Sequence, residues 1–299
     1  MTIIAGTSPG SREFAESLAK VLGMETVHAR YKVFPDGESY VRIEKDGLDS
    51  AIIVQTMSKP QNSALVEAMF LADAAKGLGA RRIVLIAPYM AYARQDKRFL
   101  HGEPVSIAVV LRALYYSGYR ELYTVEIHKE EALSAFPGKA VSVYPYEYMI
   151  EKIGINGDYV LLAPDVGALR RVERLAKKIG AQYDYLIKKR DRVTGEIIVE
   201  PKHLKVKEKK VVIVDDIIST GGTVSKATKL LLDQGAVEVY VMVAHALLAG
   251  NALERLEKAG VSKVYATNSL PPKDAGLVEY IDIAPLLAEE ISKELGKDF

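Results

Sequence analysis

The chain of 299 residues contains no cysteine and no tryptophan. Without cysteine there can be no disulfide, no zinc–thiolate site and no thiol nucleophile. Net charge is nearly absent as well, because 40 lysines and arginines balance 39 acids to leave +1 at pH 7. That balance excludes a general attraction to nucleic acid or to an anionic membrane, so any anion must be held by local design. No run of about 18 apolar residues occurs, and a membrane-spanning helix is not expected. The amino terminus MTIIAGTSPGS lacks the basic region and long apolar stretch of a signal peptide. The expectation is a cytoplasmic protein. Two further patterns are missing: neither GxGxxG nor GxxxxGK[ST] is present, so a nucleotide could not be held in those two ways.

What is present is an ordinary globular composition, 49% hydrophobic and 26% charged, in a chain long enough for two domains. Short β-branched runs alternate with amphipathic stretches. Ile3–Ala5, Ala51–Gln55, Arg82–Ala87, Leu122–Ile127, Tyr159–Ala163, Lys210–Asp215, Val237–Ala244 and Val264–Thr267 read as buried strands. Phe14, Leu18, Val21 and Leu22 fall on one helical face, as do Leu169, Val172, Leu175 and Ile179. Such alternation predicts an α/β fold with mainly parallel sheets flanked by helices. Ligands in those folds sit beyond the carboxyl ends of the strands.

The sequence also repeats. IIAGTSPGSREFAESLAKVLG (3–23) is matched by VLLAPDVGALRRVERLAKKIG (160–180), with Gly10, Leu18 and Gly23 each 157 residues before Gly167, Leu175 and Gly180. Gly79-Ala80 precedes Gly235-Ala236 by 156. A near-constant offset predicts two copies of one domain, 1–145 and 146–299, with the boundary near Tyr144–Ile153.

The strongest chemical signal is KKVVIVDDIISTGGTVSKATKLL (209–231). An apolar strand ends in Asp215 and Asp216, and Ser219-Thr220-Gly221-Gly222-Thr223 then opens a helix. Glycines let backbone N–H groups approach an anion, the helix start adds partial positive charge, and three hydroxyls can donate to phosphate oxygens. The paired carboxylates suit the vicinal hydroxyls of a ribose. A capped strand-turn-helix would also account for Asp and Thr here. Against that, two adjacent buried acids are costly without a ligand.

This loop resembles that of the phosphoribosyltransferase-type fold. FPDGESYVRI (34–43), APYMAYARQDKRF (87–99), the strand end at His128, APDVGALRR (163–171) and IKKR (187–190) extend the resemblance, in order and over essentially the whole chain, to the ribose-phosphate pyrophosphokinase family. The resemblance implies two tandem phosphoribosyltransferase-type domains, the first serving ATP and the second ribose 5-phosphate. It implies transfer of the pyrophosphoryl group of ATP to the 1-hydroxyl of ribose 5-phosphate, giving phosphoribosyl pyrophosphate and AMP for nucleotide biosynthesis. A phosphoribosyltransferase consuming that product, or a non-catalytic regulatory relative, is the rival reading. The ARQDK and FPDGE segments weigh against the first, and the retained Lys188, Arg190, His128 and Asp165 against the second.

Residue by residue, the family assigns the ribose phosphate to Asp215, Asp216, Ser219, Thr220, Gly221, Gly222 and Thr223, with Arg190 reaching the sugar phosphate. Many relatives carry Asp in place of Ser219. Phe34, Asp36, Gly37 and Glu38 would form an adenine pocket lent to a neighbouring subunit, making a homo-oligomer part of the site. Taken alone, that segment is a turn joining two hairpin strands. Arg94, Gln95 and Lys97 would grip the polyphosphate, although a solvated basic turn has the same composition. Lys188 and Arg190 would stabilise the transferred group and Asp191–Glu196 would form a flap, with Thr194-Gly195 its flexible point. Read locally, Lys188 and Arg190 follow a strand Tyr185–Ile187 and share one face. His128 and Asp165 are implied as Mg²⁺ ligands, which is acceptable because phosphates and water can complete the octahedron. A lone His is more often structural, and a lone Asp at a strand end often caps the next helix. The run Lys129-Glu130-Glu131-Ala132-Leu133 after His128 departs from the bacterial and mammalian pattern and resembles archaeal members. His28, His101, His203 and His245 read as structural or surface residues.

Overall fold

A computed structural model describes residues 1–155, 158–190, 197–200, 204–273 and 276–295. The chain divides into two units. The first comprises Met1–Tyr144 with Asn268–Pro272 and the chain from Asp282 onward; the second comprises Pro145–Thr267 and Lys273–Ile281. The C-terminal domain expected to run uninterrupted from 146 to the end therefore returns two segments to the first unit.

In chain order the first unit holds β1 (Thr2–Ala5), α1 (Ser11–Leu22), β2 (Thr26–His28), β3 (Arg30–Val33), β4 (Ser39–Arg42), β5 (Ser50–Val54), α2 (Gln61–Gly77), β6 (Arg82–Ala87), α3 (Ser106–Ser117), β7 (Glu121–Val125), a 3-10 turn over Glu130–Ala135, and β8 (Lys139–Val143). The second holds α4 (Tyr146–Ile153), β9 (Tyr159–Ala163), α5 (Val166–Ile179), β10 (Gln182–Tyr185), β11 (Ile187–Arg190), β12 (Ile197–Glu200), β13 (Lys210–Ile218), α6 (Gly222–Asp233), β14 (Glu238–Ala246), α7 (Ala252–Lys258), β15 (Lys263–Thr267) and β16 (Val278–Ile281). The helix α8 (Ala284–Leu295) packs on α1 and β8 in the first unit.

The two units have one topology. Their sheets run β2-β1-β5-β6-β7-β8 and β10-β9-β13-β14-β15-β16, parallel throughout, and each has a separate antiparallel hairpin, β3–β4 or β11–β12. The repeat is visible at the helix ends too. Gly23 and Gly180 both end their helices in the left-handed region, at φ 65° and 69°, where a Cβ would be strained. Gly79 and Gly235 make the same turn before β6 and β14, at φ 98° and 87°. The continuously apolar central strands are covered on both faces, which is why they read as unbroken β-branched runs.

Departures from the sequence reading fall at edges. Val21 is exposed because the buried stripe of α1 centres on Ala15 and Leu18. Edge strand β8 and the β3–β4 hairpin, mostly half-buried or exposed, escape a search for apolar runs. Lys188 and Arg190 do not follow a strand but lie within one, β11, which pairs Lys188 with Val199 and Arg190 with Ile197. No helix among the described residues is long and apolar enough to cross a membrane.

Candidate functional site

The strand β13 continues three residues past its expected end, so Asp215 and Asp216 are inside it and Ser219–Thr223 follows at its carboxyl end. Gly221 occupies the N-cap of α6 at φ 73°. A Cβ on it would meet the carbonyl oxygen of Ala252 and Cγ of Leu256 at 3.4 Å, so only glycine enters this turn without strain. The loop is held from outside. Ala249 N–H donates to the Ser219 carbonyl at 2.8 Å, and Nη1 of Arg255 donates to the Thr220 carbonyl at 3.1 Å. The backbone N–H groups at the start of α6 are thus presented at a fixed helix terminus, an arrangement suited to an anion.

Asp215 and Asp216 are compensated by a residue to which the sequence assigned no role. Nη1 of Arg171, on α5, lies 3.2 Å from Oδ1 of Asp215, and its Nη2 lies 3.8 Å from Oδ1 of Asp216. Oδ1 of Asp215 also accepts the Asp216 N–H, and the buried Tyr146 hydroxyl donates to the Asp215 carbonyl at 2.6 Å. Burial raises the Asp215 pKa well above the usual carboxylate range. The adjacent Asp216 raises it further, Arg171 opposes both, and Asp165 adds a smaller upward push. The signal for Arg171 was present: it flanks the buried stripe Ala168, Val172, Leu175, and long helical side chains lean toward the N-terminus, here toward the strand ends.

Asp165 is the N-cap of α5, its Oδ1 accepting the Ala168 N–H at 3.2 Å. It has the capping role open to any Asp at a strand end, with a second carboxylate oxygen besides. His128 lies three residues past β7, half-buried, where the chain leaves the sheet through Glu126 at φ 34°. Among the described residues no group of three or more potential metal ligands comes together.

Phe34–Glu38 is the tip of the hairpin β3–β4. Phe34 N–H donates to the Glu38 carbonyl at 2.8 Å, Gly37 turns at φ 96°, and Asp36 accepts the Glu38 N–H at 3.3 Å. Phe34 meets Tyr40 edge-on at 6.1 Å, and the Lys32 ammonium lies 4.7 Å from the Phe34 ring. Tyr31, Val33, Phe34 and Tyr40 are all exposed. In the turn after β6, Arg94 and Lys97 are exposed, while Gln95 accepts the Ser106 hydroxyl. Lys97 lies over Phe99 at 5.2 Å. The side chains of Lys188 and Arg190, and all of Asp191–Glu196 and His203, lie outside the described residues. His28 joins a surface cluster with Arg12 and Glu16, and His245 is buried.

Comparison with known proteins finds matches over both units. Residues 1–118 match the model of the N-terminal domain of ribose phosphate pyrophosphokinase, and residues 147–273 match the phosphoribosyl transferase domain. A ribose-phosphate pyrophosphokinase of Aeropyrum pernix is 46% identical over 97% of this chain and 96% of its own. One from Saccharolobus solfataricus is 42% identical over 96% and 99%. The crystal structure of phosphoribosylpyrophosphate synthetase from Mycobacterium smegmatis superposes with a TM-score of 0.89, at 30% identity and 99% coverage of both chains.

Proposed function

The chain belongs to the ribose-phosphate pyrophosphokinase family, and from that premise we propose how its residues transfer the pyrophosphoryl group of ATP to ribose 5-phosphate. The observation that carries the assignment is the end of β13. Two adjacent carboxylates, one forced well above its ordinary pKa, stand ahead of a glycine-capped helix start. A ribose 5-phosphate satisfies both features at once. Its ring hydroxyls donate to Asp215 and Asp216, and its phosphate takes the backbone N–H and hydroxyl donors of Ser219, Thr220, Gly221, Gly222 and Thr223.

ATP is assigned to Phe34, Asp36, Gly37 and Glu38 for the base and to Arg94, Gln95 and Lys97 for the phosphates. An aromatic hairpin tip that stands clear of its own sheet supports a base-binding role shared with a neighbouring subunit of a homo-oligomer. The 1-hydroxyl of the sugar attacks the β-phosphorus, AMP leaves, and Lys188 and Arg190 stabilise the charge on the moving group. Such transfers proceed by positioning and electrostatic stabilisation, without a protein nucleophile. One Mg²⁺ held through His128 on the nucleotide side, and one held through Asp165, would neutralise polyphosphate charge and orient its oxygens. A carboxylate oxygen, as Asp165 supplies, is a hard donor that fits that ion. The protein is assigned to the cytoplasm.

The test is an assay with ATP, ribose 5-phosphate and Mg²⁺ that follows AMP and phosphoribosyl pyrophosphate together. Equal amounts of both are expected. Consumption of phosphoribosyl pyrophosphate with a purine base, and no AMP from ATP, would overturn the reading.

A further inference from the structure

The two copies differ toward the end of their third sheet strand. In the second copy Asp215 stands inside β13, three residues before its end. In the first, the residue after β5 is Gln55, fully buried. Its Oε1 accepts the N–H groups of Thr7 at 2.8 Å and Ser8 at 3.4 Å, and its Nε2 donates to Thr7 Oγ1 and to the Ala64 carbonyl, both at 3.1 Å. Thr7 and Ser8 lie in the turn between β1 and α1, the counterpart of the turn between β9 and α5. The Gln55 amide oxygen closes on that turn so tightly that a Cβ on Gly6 would lie 2.0 Å from it. The Thr7 and Ser8 N–H groups, which an open turn would offer to an anion, are satisfied internally.

The chain of hydrogen bonds continues outward. Thr7 Oγ1 donates to Oε2 of Glu67 at 2.5 Å, and the other oxygen, Oε1, accepts the Ser39 hydroxyl at 2.7 Å. Glu67 is only 3% exposed and lies on the core-facing stripe of α2 with Ala64, Ala68 and Leu71. Both of its interactions are with hydroxyls, and among the described residues no lysine or arginine pairs with it. The corresponding stripe of α6 is Val224, Ser225, Ala227, Thr228 and Leu231, without an acid. Burying a carboxylate costs more than burying an apolar side chain unless its hydrogen bonds do something else. Here they join two separate elements. Ser39 opens β4, directly after Glu38, and the β3–β4 hairpin has no partner strand in the main sheet.

We propose that Glu67 is a positioning residue for nucleotide binding: with Thr7 and Gln55 behind it, it fixes through Ser39 the stance of the Phe34–Glu38 hairpin tip. This rests on assigning that tip to ATP. The hairpin packs on α2 through β4, with Val41 against the core; charge-assisted hydrogen bonds are short and directional, so they add a fixed angle to that apolar contact.

The experiment measures KM for each substrate, kcat and Tm for Glu67→Gln, Ser39→Ala and the double variant in the full-length enzyme. Glutamine cannot accept both hydroxyls on carboxylate oxygens. KM for ATP should rise by roughly tenfold in each single variant, the loss of one hydrogen bond to a charged group. KM for ribose 5-phosphate should stay within twofold, and the double variant should be no worse than Glu67→Gln. Should Glu67→Gln fail to fold, Ser39→Ala alone decides, because it removes only a half-buried hydroxyl. An unchanged KM for ATP in Ser39→Ala, or an equal rise in both KM values, overturns the proposal while the parent enzyme remains active. A parent enzyme that makes no AMP from ATP and ribose 5-phosphate overturns the functional reading, and this inference with it.

Discussion

Nη1 of Arg171 meets Oδ1 of Asp215 at 3.2 Å, joining the second turn of α5 to the carboxyl-terminal half of β13. Burial and Asp216 raise the Asp215 pKa, and Arg171 holds it partly back. A carboxyl with a higher pKa folded than unfolded binds the extra proton in the folded state between those two values. Stability is therefore lost as pH rises from the unfolded value, about 3.9, through the raised one. Asp215→Asn removes this slope. Its Tm relative to the parent should improve by roughly 2–4 °C between about pH 4 and neutrality, read by thermal denaturation across pH. Parallel pH profiles for the two proteins would rule out Asp215 as the source. The same variant should raise KM for ribose 5-phosphate, since asparagine replaces one acceptor oxygen with a donor.

Lys188 carries the most direct prediction about the chemistry. If its ammonium stabilises charge that develops only in the transition state, its removal lowers kcat and spares binding. Lys188→Ala should reduce kcat by roughly 10²–10³-fold, with both KM values within a few-fold. Near-normal kcat would exclude Lys188 from the catalytic set.

Gly221 separates loop shape from loop chemistry. At φ 73°, with Ala252 O and Leu256 Cγ waiting 3.4 Å from any Cβ, Gly221→Ala pays about 1–2 kcal/mol of left-handed strain before any contact shifts. The expected outcome is a measurable fall in Tm together with a several-fold higher KM for ribose 5-phosphate and an unchanged KM for ATP. A loss of stability with unaltered sugar-phosphate affinity would show that the turn is scaffolding alone.

These sites were not equally legible in the sequence. Asp215 to Thr223 could be read because strand, acid pair and glycine turn are contiguous, and local chemistry alone constrains them. The repeat was legible for a related reason: Gly23 and Gly180, or Gly79 and Gly235, mark positive-φ turns that no other residue fills as easily. Tyr146 and Glu67 were not legible, because each acts on a partner at least 28 residues away, respectively Asp215 and Ser39; for Arg171 the helix face was legible but its partner Asp215, 44 residues on, was not. Nothing in local spacing distinguishes Glu67 from a solvated helix glutamate. Its meaning comes from the face of α2 on which it falls and from what the fold places against that face.

Asp165 has two assigned roles that one substitution can divide. Its Oδ1 accepts the Ala168 N–H at the start of α5, and its charge is assigned to Mg²⁺. Asparagine is as good an N-cap as aspartate but a neutral and weaker ligand for a hard cation. Asp165→Asn should therefore keep the parental Tm within about 1–2 °C while the Mg²⁺ concentration for half-maximal activity rises several-fold. Asp165→Ala should lose both, with a stability cost of about 1 kcal/mol. If Asp165→Asn titrates with Mg²⁺ like the parent while Asp165→Ala is merely less stable, the residue is a helix cap and the ion is held elsewhere. The comparison works because the cap depends on an oxygen lone pair that both side chains possess, whereas magnesium discriminates by charge.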